Sequence, residues 1–185
     1  MIVTGGSTIT DASQLGTGVV NSTAILDATI VDADVSATAA VALSKIQGAL
    51  TRIVKATTET VNNSTTLQND DSFTFSVSAS KDYTVKLLLR VSSGAVPDIK
   101  YLWSLPAGAT AVGIVTRPVS NDLITFSEAA SVTVGTSGTS NMIMLLTIRV
   151  GTTAGTAVLQ WAQEVAEVSD TSVLVGSWLT HELLN

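Results

Sequence analysis

Few side chains in this chain have the chemistry that catalysis needs. The 185 residues include one histidine, His181, and no cysteine. A Ser–His–Asp arrangement would have to use His181, and no Gly-x-Ser-x-Gly segment supplies a nucleophile for it. The residues around His181 alternate as in a strand, so we interpret it as a partly exposed strand residue. The sequence therefore predicts a protein without enzymatic activity, disulfides or thiolate metal sites.

Carboxylates are the other groups with chemical potential. Asp27, Asp32 and Asp34 lie close together near the N-terminus, and Asn69-Asp70-Asp71 has the composition of a turn. Calcium takes about six to eight oxygen ligands, and no Asp-x-Asp-x-Asp-Gly loop is present to supply them. We expect solvated acidic side chains and no cofactor. A ring of aspartates around a trimer axis would multiply the ligands, so that alternative stays open.

The three tryptophans divide by their place in the alternating pattern. Trp103 and Trp161 share a face with apolar residues, which predicts core packing. Trp178 is out of phase with Leu179, so it is the candidate for an exposed contact, either with a sugar or with another subunit. The glycine-rich run 135–138 has no phosphate-binding lysine beside it, and we expect a loop.

The charge balance excludes several partners. The formal net charge is −6, with only nine Lys and Arg residues, so no basic surface for nucleic acid is expected. No apolar run approaches the ~20 residues that cross a bilayer, so no membrane partner is expected. The first residues lack a basic and an apolar region, which predicts synthesis in a cytoplasm without a signal peptide.

Residues 25–37 repeat with a period of five, which is neither the strand period nor the helix period. Ile25, Ile30 and Val35 mark the repeat. Such short repeats bury their apolar residues against neighbouring units, and three pentads barely make one turn of a single-chain coil. We therefore expect three chains to wind together into an extended stalk.

Residues 36–53 are predicted to form a short helix that follows the stalk. Asp34 or Ser36 can cap it. The apolar residues alternate by four and three, as in a coiled-coil seam, although over only about two heptads; they are Ala39, Leu43, Ile46, Leu50 and Ile53. One amphipathic helix packed on its own domain is the alternative. The predicted trimer interface comprises Ile25, Ile30, Val35, Leu43, Ile46 and Leu50.

The remaining chain alternates in short segments typical of strands. The apolar sets are Phe73 to Val77, Tyr83 to Val91, Ile99 to Leu105, Met142 to Val150, Ala157 to Trp161, and Val173 with Val175. Turn residues separate the sets. Regular short strands with such separators favour an antiparallel β-sandwich or jelly roll. The sequence thus predicts a mainly β protein in two parts, residues 1–53 as anchor, stalk and short helix, and residues 54–185 as the β domain.

The N-terminal segment from Thr8 to Leu50 resembles the stalks of bacteriophage fibre and head-fibre proteins. The resemblance rests on ILDATI (25–30), DADVS (32–36) and AAVALSKI (39–46). The C-terminal half is similar to a β domain of phage virion proteins, in the segments TVNNSTTLQNDDSFTFSVSASKDYTVKLLL (60–89), DIKYLWSLPAGAT (98–110), LQWAQ (159–163) and VLVGSWL (173–179).

This resemblance implies a homotrimeric structural protein of a phage particle, made in the host cytoplasm. The short stretch before the stalk, roughly residues 1–20, leads us to expect a capsid decoration (cement) protein or head fibre. Its partner would be the major capsid protein, and its location the outer capsid surface. The alternative is a tail fibre that recognises a host surface glycan.

Overall fold

The computed structural model describes residues 50–94, 96–116, 123–127, 132–134 and 138–184, together with Val35, Ser36, Thr38, Ala39 and Val41. The chain divides into two compact units, residues 1–41 and 42–185. Within the described residues there are twelve strands, all in the second unit: β1 (Thr51–Val54), β2 (Glu59–Val61), β3 (Gln68–Val77), β4 (Asp82–Ser93), β5 (Ile99–Ser104), β6 (Thr110–Thr116), β7 (Leu123–Ser127), β8 (Val132–Val134), β9 (Gly138–Arg149), β10 (Gly155–Gln163), β11 (Thr171–Val173) and β12 (Trp178–Leu183).

The strands pair in a nested order, first with last. β1 pairs with β12 and β2 with β11, then β3 with β10, β4 with β9, β5 with β8, and β6 with β7, all antiparallel. Further pairings of β11 and β12 with β4, β10 with β5, and β6 with β9 join these ribbons side by side. The chain is therefore one long antiparallel ribbon, folded at β6–β7 and rolled up.

The rolled ribbon forms two sheets that share one core. The large sheet has the order β1-β12-β4-β9-β6-β7. In addition, β11 pairs with β4, on the same edge as β12, and β2 pairs with the other side of β11. The small sheet has the order β3-β10-β5-β8. One cluster of buried residues contains side chains from both sheets, including Leu87 and Met144 of the large sheet and Phe73 and Trp161 of the small one. The prediction of a mainly β, antiparallel protein is confirmed.

The alternating sets of the sequence identify the buried face of each long strand. In β4, for example, Tyr83, Val85, Leu87, Leu89 and Val91 are buried. Trp103 and Trp161 are 3% and 0% exposed, as expected for core residues. In β4 and β5, and in β9 from Met142 onward, every second side chain is buried, and the intervening side chains of β4 and β9 point away from the core.

The predicted helix is wrong wherever the structure describes its residues. None of Ser36, Thr38, Ala39, Val41 and Leu50 is helical, and Thr51–Val54 forms β1. Residues 51–54 are rich in β-branched side chains, which favour a strand, and they pair with β12. Ile53, predicted in the helical seam, packs against the core instead. The predicted boundary between residues 53 and 54 falls inside β1.

The segment Asn69-Asp70-Asp71 was predicted to be a turn, and that is wrong, because it lies inside β3. The ladder between β3 and β10 shifts its register here, from Thr74 opposite Val158 to Asn69 opposite Gln160. Such a shift marks a β-bulge, which needs the same local backbone bending as a turn. Asp70 accepts hydrogen bonds from the backbone N–H groups of Ser72 and Phe73 at 2.9 and 3.0 Å, which stabilises the bulge.

The predicted strand at Val173 and Val175 ends at Val173, and Val175 is exposed. Gly176, with a φ of 83°, turns the chain between β11 and β12. Ser177 fills the gap in the ladder along β4, since its Oγ accepts from the Arg90 N–H at 2.9 Å and donates to the Leu174 carbonyl at 2.8 Å. This buried serine lets two short strands cover one edge of β4.

Candidate interaction surface

The outward face of the large sheet carries apolar side chains where a solvated sheet would carry polar ones. Cross-strand pairing aligns Val54 with Trp178, Trp178 with Leu88, and Leu88 with Ile143, so that one apolar row crosses four strands. In the next row Leu145 lies opposite Ile114. We name the outer apolar patch by these six residues: Val54, Leu88, Ile114, Ile143, Leu145 and Trp178.

Exposure confirms that this patch faces away from the core. Val54 is 49%, Ile143 37% and Leu145 44% exposed, and the other three are half-buried. Their chain neighbours on the inward face are buried, as shown by Leu87 and Met144 at 0%. Antiparallel sheets with one solvated face alternate apolar and polar residues, so these six apolar side chains, beside polar ones such as Lys86 and Thr147, make the outward face a candidate interaction surface.

An open groove of about 510 Å³ lies next to the patch. Its lining includes Ile114 and Leu145 of the patch, Val112 beside them, and Lys86. Leu50, 54% exposed, also lines this groove. The groove therefore combines apolar side chains with three threonines and one cation; the threonines are Thr84, Thr147 and Thr180.

Two cationic side chains lie near the ring of Trp178 in the patch. The Arg52 Cζ and the Lys86 Nζ are each 5.8 Å from the centre of its ring. Cations at this distance are attracted to the face of an indole ring. Trp178 is half-buried, whereas its neighbour Leu179 is buried.

The sequence contained a signal for this surface. The run Met142-Ile143-Met144-Leu145-Leu146 is apolar at every position, which is typical of a strand covered on both faces. The strand prediction for this segment used only the inward-facing Met142, Met144 and Leu146. It therefore assigned no role to the outward-facing Ile143 and Leu145. Leu88 of β4 carries the same signal between Leu87 and Leu89.

Two of the six residues predicted for a trimer interface lie within the described part of the chain. Val35 is 44% exposed and Leu50 is 54% exposed. Ile25, Ile30, Leu43 and Ile46 lie outside the described residues, as do Asp27, Asp32 and Asp34. Near Val35, the Thr38 N–H donates to the Ser36 Oγ at 3.2 Å, the contact that a helix N-cap residue makes to the second helical position.

His181 occupies a half-buried position in β12. Its ring stacks on Phe75, with the ring centres 4.2 Å apart and an interplanar angle of 12°. Tyr83 lies at 6.4 Å in a tilted orientation. Burial lowers the pKa of the imidazole below its ordinary value of 6.5, because the charged form loses hydration between these rings.

The lowered pKa of His181 predicts acid-sensitive stability. The unfolded chain binds a proton near pH 6.5 while the folded chain does not, so the free energy of unfolding should fall as the pH drops below about 6.5. Urea titrations at pH 7.5, 6.5 and 5.5 measure this fall. In His181→Gln the slope over that range should be smaller, and an unchanged slope would assign the acid sensitivity to other groups.

Within the described residues, no group of three His, Asp or Glu side chains is placed to hold a metal ion. No helix in that part of the chain is long and apolar enough to cross a membrane.

No protein-family model matches the chain, and no curated protein matches it. Among solved structures it is similar to chains from the infectious bursal disease virus Gx strain and Gt strain. Each is 13% identical over 72% of this chain, with TM-scores of 0.21 and 0.23. The match covers 40% and 41% of those viral chains. A likeness at this level defines neither a fold family nor a function for the chain.

Proposed function

We propose that this chain is a non-enzymatic structural subunit of a bacteriophage particle, a homotrimer that decorates the outer capsid. The observation that carries the proposal is the outer apolar patch, which lies on the face of the large sheet opposite the core that the described strands form. The similarity of residues 8–50 to phage fibre stalks supports the assignment to a virion and to threefold symmetry.

The nested strand pairing supports a jelly-roll assignment for the β domain. A jelly roll is a long antiparallel ribbon rolled so that its strands alternate between two sheets, and it is common among viral capsid domains. Here β3, β5, β8 and β10 belong to the small sheet, and β4, β6, β9 and β11 to the large one. On this assignment the β6–β7 hairpin is an extension that widens the large sheet beyond β9.

The patch is best explained by contact with further copies of the chain. Leu50 lines the groove beside the patch and is also one of the residues predicted for the trimer interface, with Leu43 and Ile46. A contact between copies at Leu50 would bring three copies of the adjoining large-sheet face close to the threefold axis. Contacts repeated three times then stabilise a trimer even where each is small.

The cations beside Trp178 favour this assembly role over glycan recognition by a tail fibre. A sugar that stacks on an indole needs a free ring face, and the Arg52 and Lys86 side chains lie within 5.8 Å of this ring. The same cations would complement the acidic side chains of a neighbouring subunit in a chain whose net charge is −6.

Sedimentation equilibrium of the full chain tests the trimer. We expect the wild-type chain to sediment as a trimer, and the double variant Ile143→Asp/Leu145→Asp as a folded monomer, because it places two charges in the patch. Asn141→Asp, with one charge on the same face of β9, is the matched control and should remain trimeric. The stalk variant Ile30→Asp/Leu43→Asp should also give monomers. A monomeric wild-type chain would contradict the proposal.

The virion role is tested by the copy number of the chain in purified particles. Quantitative mass spectrometry should find copies in the hundreds, as expected for a protein at repeated capsid positions. Immunogold labelling should mark the head. A few copies per particle with label on the tail alone would favour a receptor-binding fibre.

A further inference from the structure

A buried ionic cluster joins the first three strands to the small sheet. Lys55 follows β1, Glu59 begins β2, and Asp70 lies in the bulge of β3. The Lys55 Nζ is 2.8 Å from the Glu59 Oε2 and 2.9 Å from the Asp70 Oδ2. The side chains of Lys55 and Asp70 are 1% and 0% exposed, and that of Glu59 is 15% exposed. One amine therefore lies between two carboxylates, almost without water.

The protein surrounds the two oxygens of Asp70 with different donors. Oδ1 accepts from the backbone N–H groups of Ser72 and Phe73, at 2.9 and 3.0 Å. Oδ2 accepts from the Lys55 Nζ and, at 3.2 Å, from the indole Nε1–H of Trp161. Two backbone donors on a carboxyl oxygen have the composition of an oxyanion hole, which stabilises negative charge when a carbonyl is attacked.

Glu59 is held in a position to move protons. Its Oε2 accepts from Lys55 and from the backbone N–H of Asp71 at 3.1 Å, and its Oε1 accepts from the Gln68 amide at 3.1 Å. Burial alone lowers the pKa of the Lys55 amine, but the hydrogen bonds and charges of Glu59 and Asp70 outweigh it and raise that pKa. Ion pairs without water are costly, so a neutral product of the same groups gains stability.

We infer that the Lys55 amine and the Asp70 carboxyl condense to an isopeptide bond inside the folded chain, with Glu59 as the proton carrier. This inference does not depend on the proposed virion role. The reactants are already in contact, because Oδ2 is bonded to the Cγ atom that the amine must reach. Holding an amine and a carboxyl in this way removes the entropic cost of bringing them together.

The reaction balances without any co-reactant. Nζ passes one proton to Oδ2, and its lone pair then forms the Nζ–Cγ bond while the carbonyl electron pair moves to Oδ1. Glu59 takes a second proton from Nζ and delivers it to Oδ2. The electron pair on Oδ1 returns, the Cγ–Oδ2 bond breaks, and Oδ2 leaves as water. Ammonium and carboxylate become a secondary amide and one water, and Glu59 is regenerated.

The product would tie the β1–β2 connection to β3 within one protomer. Lys55 and Asp70 are 15 positions apart, so the bond closes a loop that includes all of β2. Pulling on the chain before β1 could still detach β1, but the force would pass from Lys55 directly to Asp70, so β2 inside the loop would carry no load. It is a single self-modification and implies no turnover of an external substrate.

Intact-mass spectrometry of the purified full chain tests the bond. We expect a mass lower than the sequence mass by one water. Trypsin provides a second readout, because a linked Lys55 resists cleavage. The linked chain should yield residues 53–81 as one peptide lacking one water, and fragmentation should give no ions from within residues 55–70. A wild-type chain that keeps its full mass, and that releases residues 56–81 as a separate peptide, overturns the inference.

Two variants separate the chemistry from the fold. Lys55→Met should retain the full mass calculated from its sequence. In Glu59→Gln most molecules should retain that full mass, and the circular dichroism spectrum should match the wild type. Asp71→Asn, an exposed neighbour on β3, should lose water as the wild type does. Loss of water from Glu59→Gln at the wild-type rate overturns the role of Glu59. Loss of water from Lys55→Met shows that another pair reacts and overturns the assignment of the bond.

Discussion

Asp70→Ala should reduce the free energy of unfolding by about 3–5 kcal/mol, since it removes one partner of a buried charge pair. Lys55, whose side chain is 1% exposed in the wild-type chain, would keep only Glu59 as an ionic partner. The Trp161 indole N–H and the Ser72 and Phe73 amides would lose their acceptor in the same step. For a chain of this size the melting temperature should fall by roughly 6–20 °C. Any covalent link from Asp70 to Lys55 would make the loss larger.

Asp71→Ala is the matched control for that experiment. Asp71 is the exposed neighbour of Asp70, and only its backbone N–H contacts the cluster. Surface substitutions of this kind change stability by about 0.5 kcal/mol or less. Thermal and urea denaturation of both variants measures the difference. Equal stabilities for the two would show that the buried cluster contributes nothing to the fold.

The difference between Asp70 and Asp71 shows where sequence reasoning failed. Consecutive polar residues after Leu67 have the composition of a turn, but here they lie in a strand, where the ladder between β3 and β10 shifts its register. What distinguishes Asp70 is its contact with Lys55, 15 positions earlier, and with Trp161, 91 positions later. No local pattern encodes such contacts, so the cluster could be recognised only once the strands were placed.

The strands themselves followed from local pattern because burial on one face enforces a period of two. Tyr83 to Val91 and Met142 to Val150 identified β4 and β9, and the pairing of those strands forms the centre of the large sheet. The helix prediction over 36–53 failed at residues 51–53, which lie in β1, because a heptad seam and a strand of β-branched residues can share the same apolar positions. Pairing with β12 decides that competition in favour of the strand.

Substitution to alanine should lower the free energy of unfolding by very different amounts at two neighbouring leucines of β4. Leu87 is 0% exposed and belongs to the core shared by the two sheets, whereas Leu88 is half-buried in the outer apolar patch. Leu87→Ala removes buried methyl groups and leaves a cavity, so we expect a loss of about 2–5 kcal/mol in the free energy of unfolding. Leu88→Ala leaves no such cavity in the core, so its cost to folding of the single chain should be well below that of Leu87→Ala.

The patch makes the opposite prediction for assembly. Leu88 lies between Trp178 and Ile143 in the apolar row, so Leu88→Ala should weaken self-association. Leu87→Ala, measured where it is still folded, should leave self-association unchanged. Urea denaturation of dilute protein reports the first effect, and the concentration dependence of sedimentation reports the second. If Leu88→Ala destabilised the isolated chain as much as Leu87→Ala and left association unaltered, the outward face would be part of the fold rather than a surface for a partner.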